Sequence, residues 1–358
     1  MKRAIETLTL ACVALSWSAG ASGQDVISYI DAKTKKETTT KGSIQEETAS
    51  QVTYAAGTAG TTREIPALAI RDISYEVPGA VRLTYRSAAG LEKLLADPSA
   101  PESKRREDIA SAIKGYQEVL AQLSAEKKFA ARHLEFKIAE LRARQAEDDR
   151  QAAPAAIEAL TAFMHKHPDS WQITRAAKLL AELQLDQGDA GGAQKTYEEL
   201  AANPNLAKET RQDCDFSIAQ AMIRGGKFSD AERKLQGVLG GVTADYPRAM
   251  RARIYLAECT GASQKEKLPD AVAALEDIIR KTADNDIRAV AYNALGDCYR
   301  LNGKNKDALY SYLWVDVIFH QNRQEHVKAM EQLARLFEEQ GDKLRAREYR
   351  DRLKKAGR

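Results

Sequence analysis

The stretch ALGDCYRLNGKNKDALYSYLWV, residues 294–315, decides the fold. Small residues stand at Gly296, Gly303 and Ala308 in what otherwise reads as helix, while Leu295, Tyr299, Tyr312 and Val315 are large. Small side chains let two helix axes approach, and large ones fill the grooves beside the crossing. Gly303 has another task, because glycine tolerates the left-handed conformation that ends a helix. The stretch therefore reads as helix, turn and antiparallel helix, with Gly296 and Ala308 at the close contact.

The unit recurs. Ala156, Ala193, Ala231, Ala271, Ala308 and Ala346 are separated by 37, 38, 40, 37 and 38 residues. Four residues on lie Leu160, Tyr197, Leu235, Leu275 and Tyr312, with Arg350 off the pattern. Seven on lie Phe163, Leu200, Val238, Ile278, Val315 and Leu353. Offsets of four and seven mark one helix face. Ala181, Ala219, Gly296 and Ala334 each stand twelve residues before their alanine, and Gly188, Gly226, Gly303 and Gly341 five before. Ala257 and Ala271 are fourteen apart, and the longer connection TGASQKEKLPD (260–270) accounts for most of the 40-residue spacing. One helix pair cannot bury its apolar face alone, so neighbours must stack on it.

The pattern resembles the tetratricopeptide repeat (TPR), most closely through Leu295-Gly296, Tyr299, Gly303, Ala308 and Tyr312, and the resemblance covers roughly residues 127–355. The period exceeds the family's usual 34 residues, and the prolines after the second helices survive mainly at Pro168 and Pro204. The resemblance implies a mainly α protein whose residues 127–358 form a right-handed α-solenoid with a C-terminal capping helix. It also implies that the first helices line a concave groove for a protein or peptide partner. Carried over residue by residue, that groove includes Arg175, Lys178, Arg224, Arg251, Tyr255, Asn293, Asp297, Arg300 and Arg335, interspersed with Glu182, Asp213, Gln220, Glu258 and Lys328. The alternation of sign predicts a ligand of mixed charge. Members that clamp a C-terminal carboxylate pair a Lys with an Asn one turn on, whereas Lys178 is followed by Glu182.

Upstream the texture changes. VISYI (26–30), GSIQEE (42–47), QVTYAAG (51–57) and LAIRDISYEV (68–77) are short, rich in β-branched and aromatic residues, and divided by turns. They predict a small all-β, barrel-like domain over residues 24–88, resembling SH3-like barrels, followed by linking helices over 89–126. Residues 1–23 read as a secretory signal peptide: Lys2 and Arg3, an apolar run Thr7 to Trp17 too short to span a bilayer, then small residues. Without them the charge is 52 basic (54 − 2) against 50 acidic (51 − 1) residues, or +2. This predicts an exported protein, periplasmic or extracellular.

So balanced a charge argues against a nucleic-acid partner. The mature chain keeps Cys214, Cys259 and Cys298, too few and too odd for a disulfide framework. Cys259 and Cys298 hold equivalent places in successive first helices, and are expected to be buried, free thiols. No nucleophile–base pair, phosphate loop or zinc spacing occurs, so no enzymatic activity, cofactor or metal is expected. HKH (165–167) reads as a solvated turn, and His320 and His326, six apart, would not share one face of a single helix. The expected function is scaffolding or adaptor work in the cell envelope, without membrane insertion. The alternative is recognition of an envelope glycan by the β domain.

Overall fold

The computed structural model describes residues 24–56, 60–97, 100–242 and 248–355, so the expected leader, residues 1–23, lies outside the described residues. Strands β1 (Asp25–Ile30), β2 (Glu37–Glu47), β3 (Gln51–Ala56), β4 (Thr61–Pro66) and β5 (Ile70–Ser74) form one antiparallel sheet, ordered β4-β3-β2-β1-β5. Alternation sets its inner face: Val52 and Tyr54 of β3 are buried while Gln51 and Thr53 lie half out. β2 begins earlier than its apolar pattern suggests, because Glu37 to Gly42 pair with β1. A bulge between Ile44 and Glu46 bends it. After Pro66 a single 3₁₀ turn, Ala67–Ala69, leads to β5, which returns to β1.

The sheet is open rather than a closed barrel, with β4 and β5 as its edges. Helices cover it in place of a fifth, closing contact between β4 and β5. Ala130 and Trp171 pack among Ile27, Ile44, Val52, Tyr54, Ile65 and Ile73, joining the β core to the helical part.

The sheet ends at Ser74 and helix α1 (Arg82–Leu94) already includes Arg86 to Gly90; α2 (Glu102–Leu120) follows. These helices are packed rather than linking. Ala88, Ile109, Ala112, Tyr116 and Val119 form a core with Leu134, Ile138 and Leu141 of α3 (Lys128–Asp148).

From α3 the chain folds into stacked antiparallel pairs: α3 with α4 (Ala153–Lys166), α5 (Ile173–Asp186) with α6 (Ala190–Ala201), and α7 (Lys208–Arg224) with α8 (Phe228–Gly241). The next are α9 (Ala249–Ser263) with α10 (Leu268–Lys281), α11 (Asn285–Leu301) with α12 (Asn305–Val317), and α13 (Arg323–Glu339) with α14 (Lys343–Lys355). The six periodic alanines all lie on second helices, and none exceeds 3% exposure. Gly188, Gly226, Gly303 and Gly341 end the first helices with φ of +82°, +75°, +74° and +78°, the region an L side chain avoids.

Gly296 has a different neighbour from the one expected. A Cβ there would stand 2.5 Å from the Tyr312 ring, so the missing side chain makes room for an aromatic ring rather than for Ala308. In the lengthened unit the close approach falls on Gly261, whose Cβ would lie 2.9 Å from both the Ala271 Cβ and the Cys298 Sγ. Cys214, Cys259 and Cys298 are buried and free.

The C-terminal helix packs Ala346, Tyr349 and Leu353 onto α13. Its cations are largely spent on ion pairs: Arg350 with Glu338, Arg345 with Asp342, and Arg352 with Asp316.

Candidate functional site: the inner wall of the stack

The first helices present one face inward, and Tyr255 fixes which. Its hydroxyl accepts a hydrogen bond from Gln220 Nε2 at 3.2 Å, so α7 and α9 turn these residues toward each other. Four residues from these on the same faces stand Arg224 and Arg251. On α5, Arg175 pairs with Glu140, and Lys178 lies 3.9 Å from Glu182. Arg335 stands on α13 two turns beyond Lys328.

Further along, the inner wall closes on itself. Asn293 Nδ2 donates to Glu325 Oε2 at 2.8 Å and to the Glu325 carbonyl at 2.9 Å. Lys328 Nζ lies 2.7 Å from Asp297 Oδ2, and the Tyr312 hydroxyl donates to Asp297 Oδ1 at 2.7 Å. Glu258 is 1% exposed, Asn293 0% and Asp297 6%, so these are interior groups rather than groove lining. Tyr255 at 8% is also buried, not a free anchor. Arg300 is half-buried beside Tyr312, and its Nε is enclosed without a partner among the described residues. Gln324 approaches Glu182, and Arg323 faces Glu147, bringing the start of α13 toward α3 and α5.

The expected residues thus divide. Tyr255, Asn293, Asp297 and part of Arg300 come together as a buried polar layer. Arg175, Lys178, Arg224 and Arg335 reach solvent, and Arg251 is half-buried. Arg224, Arg251 and Arg335 have no ion-pair or hydrogen-bond partner among the described residues. Three of the four acids expected to alternate with them are paired: Asp213 with Arg248 at 3.3 Å, Asp297 with Lys328 at 2.7 Å and Glu182 with Lys178 at 3.9 Å; the fourth, Glu258, is buried. Glu325 and the Tyr312 hydroxyl were not legible as wall residues. The only signal was Glu325 three residues before Lys328, on one helix face.

A second buried network joins the sheet to the helices. Tyr75 donates to Glu47, which also pairs with Arg132, and Trp171 Nε1 donates to the Tyr75 hydroxyl at 3.1 Å. Lys137 reaches Glu92 at 2.7 Å and Asp72 at 3.4 Å. His133 lies between the Tyr75 and Trp171 rings, and burial pulls it down to about 4, so it is neutral near pH 7. These groups serve each other.

His167 and Lys166 both bond Glu135, at 2.7 and 2.6 Å, so HKH is anchored rather than simply solvated. The rings of His320 and His326 meet at 5.8 Å because a helix boundary separates them. No group of three or more His, Cys, Asp or Glu among the described residues could hold a metal ion.

No protein-family model matches the chain, and no curated protein matches it in sequence. Among solved structures, the chain is similar to a tetratricopeptide repeat protein from Parabacteroides merdae, with a TM-score of 0.51 at 15% identity, covering 76% of this chain and 94% of that one. The helical part has a TPR-like fold. A Rap protein complexed with competence and sporulation factor gives a TM-score of 0.46 at 16% identity, covering 77% of this chain and 76% of that one. No helix among the described residues is long and apolar enough to cross a membrane.

Proposed function

We propose that this chain is an exported, non-enzymatic adaptor that takes a protein or peptide partner on the inner wall of its helical stack. The observation that carries the reading is charge left over after internal pairing. Arg224, Arg251 and Arg335 project from three inner helices without partners among the described residues, while the neighbouring acids are already engaged. Arginine is among the residue types that most often dominate interfaces. The partner is therefore an acidic segment, not one of mixed charge.

The β domain has a structural role in this proposal. Its strand order, with a 3₁₀ turn between β4 and β5, supports an SH3-like reading. Its core continues into Ala130 and Trp171, so it caps the first end of the stack, as open solenoids require.

The test is capture from envelope extract of the native host by the full chain, compared with two triple variants. Arg224→Glu, Arg251→Glu, Arg335→Glu should lose the captured protein at least about tenfold. Reversal of the outer residues Arg233, Arg280 and Arg347, whose side chains are 78%, 73% and 82% exposed, should not. Equal loss from both variants would defeat the inner-wall reading, and helicity by circular dichroism should be the same in all three proteins.

A further inference from the structure

The polar layer inside the later units holds more acid than base. Glu258 of α9, Asp297 of α11 and Glu325 of α13 meet Lys328 of α13, with Arg300 of α11 beside them. The other titratable neighbours are Tyr255 and Cys259 on α9, Cys298 on α11 and Tyr312 on α12. Asp297 has a cation on one oxygen and a hydroxyl donor on the other. Glu325 has the Asn293 amide. Glu258 has neither: it is buried, its Oε2 is enclosed with no hydrogen-bond partner among the described residues, and the Asp297 carboxyl is its neighbour. Two carboxyl groups in contact away from water do not both ionise; a shared proton turns their repulsion into a hydrogen bond.

We propose that Glu258 and Asp297 hold one proton between them, and that this proton locks α9, α11 and α13 together around Lys328, so that its release loosens the inner wall. With the proton in place, Glu258 adds no charge beside the Asp297–Lys328 pair. Without it, a buried carboxylate faces Asp297 with no donor of its own. This lock is independent of any partner.

The two acids move in opposite directions. Burial pushes Glu258 up to about 8, and Asp297 and Glu325 add to that against the opposing charge of Lys328. Burial acts on Asp297 in the same sense, but the charge and hydrogen bonds of Lys328 and Tyr312 outweigh it and hold Asp297 low. A carboxyl raised by folding retains a proton that the unfolded chain has released. Its contribution to stability is therefore complete below the ordinary value of 4.5, declines as pH rises, and is gone above about 8. Asp297 acts in the other window: its contribution is present above 3.8 and is lost as the solution becomes more acidic.

Two measurements on the full chain test the lock. Amide hydrogen exchange, corrected for intrinsic rate, is compared at about pH 6.5 and 8.5, on either side of the Glu258 transition. Protection in α9, α11 and α13 should fall about tenfold or more while α5 and α6 stay unchanged. Glu258→Gln keeps a donor toward Asp297 without a titrating proton, and should abolish that difference. Infrared spectra should show a protonated carboxyl in the wild type at the lower pH that is missing from the variant. If the variant fails to fold, the wild-type spectrum and exchange profile decide by themselves. No protonated carboxyl, exchange independent of pH, or the same pH loss in Glu258→Gln would each overturn the proposal.

Discussion

At Gly296 a single added carbon would meet the Tyr312 ring at 2.5 Å, and the ring cannot retreat without breaking its hydrogen bond to Asp297. Gly296→Ala should therefore cost about 1–3 kcal/mol through overpacking, read as a lower Tm, with the near-ultraviolet tyrosine signal altered. Gly303 fails differently. Its Cβ would meet nothing, yet φ is +74°, so Gly303→Ala should cost only about 1–2 kcal/mol of backbone strain. If the two alanine variants showed equal losses and unchanged tyrosine spectra, the distinction between a packing glycine and a turn glycine would fail. Both roles were visible as small residues in the sequence. Which neighbour each one served was not, because that depends on the ring's placement across the pair.

Helix α14 closes the stack through one carboxylate. Asp316, at the end of α12, accepts from the Tyr349 hydroxyl at 2.8 Å and from Arg352, and bonds His326 at 2.7 Å. Burial raises Asp316, but the bonds from Arg352, His326 and Tyr349 win and hold it below its ordinary 3.8. A carboxyl lowered by folding stabilises above its unfolded value, and that contribution is lost as pH falls through the folded one. Asp316→Asn should lower stability at pH 7 by about 1.5–3 kcal/mol and flatten the acid limb of a Tm-against-pH curve. A wild-type acid limb in the variant would show that Asp316 does not hold the cap. The helix pairs were legible from the alanine period, since each alanine is buried on its second helix where a larger side chain would have to be accommodated. The anchoring of HKH on Glu135 and the meeting of His320 with His326 were not, because both depend on partners outside their own helices.

In the whole molecule the sheet and stack are joined through buried side chains. Arg132 and Lys137 of α3 find partners in Glu47 and Asp72 of the sheet, and His133 lies against Tyr75 just after β5. Removing residues 24–75 would strand these buried polar groups and uncover Trp171, so the truncated stack should lose its cooperative melting transition; an intact transition would mean that the sheet is only tethered. The strands themselves were readable from β-branched alternation, whereas the open edge and helical cover were set by Trp171 and Ala130, distant in sequence. The inner wall was half legible. Periodicity put Arg224, Arg251 and Arg335 on the first helices α7, α9 and α13, but could not reveal that Tyr255, Asn293 and Asp297 would be buried. The central claim, that the unpaired inner arginines receive an acidic partner, is tested most directly by site-specific photo-crosslinking in the native host. A photoreactive residue is placed in turn at Arg224, Arg251 and Arg335, and at the outer residues Arg233 and Tyr310. The account predicts one discrete crosslinked protein shared by the inner positions and missing from the outer ones. Crosslinks only from Arg233 or Tyr310, or none from any inner position while the outer ones react, would contradict it.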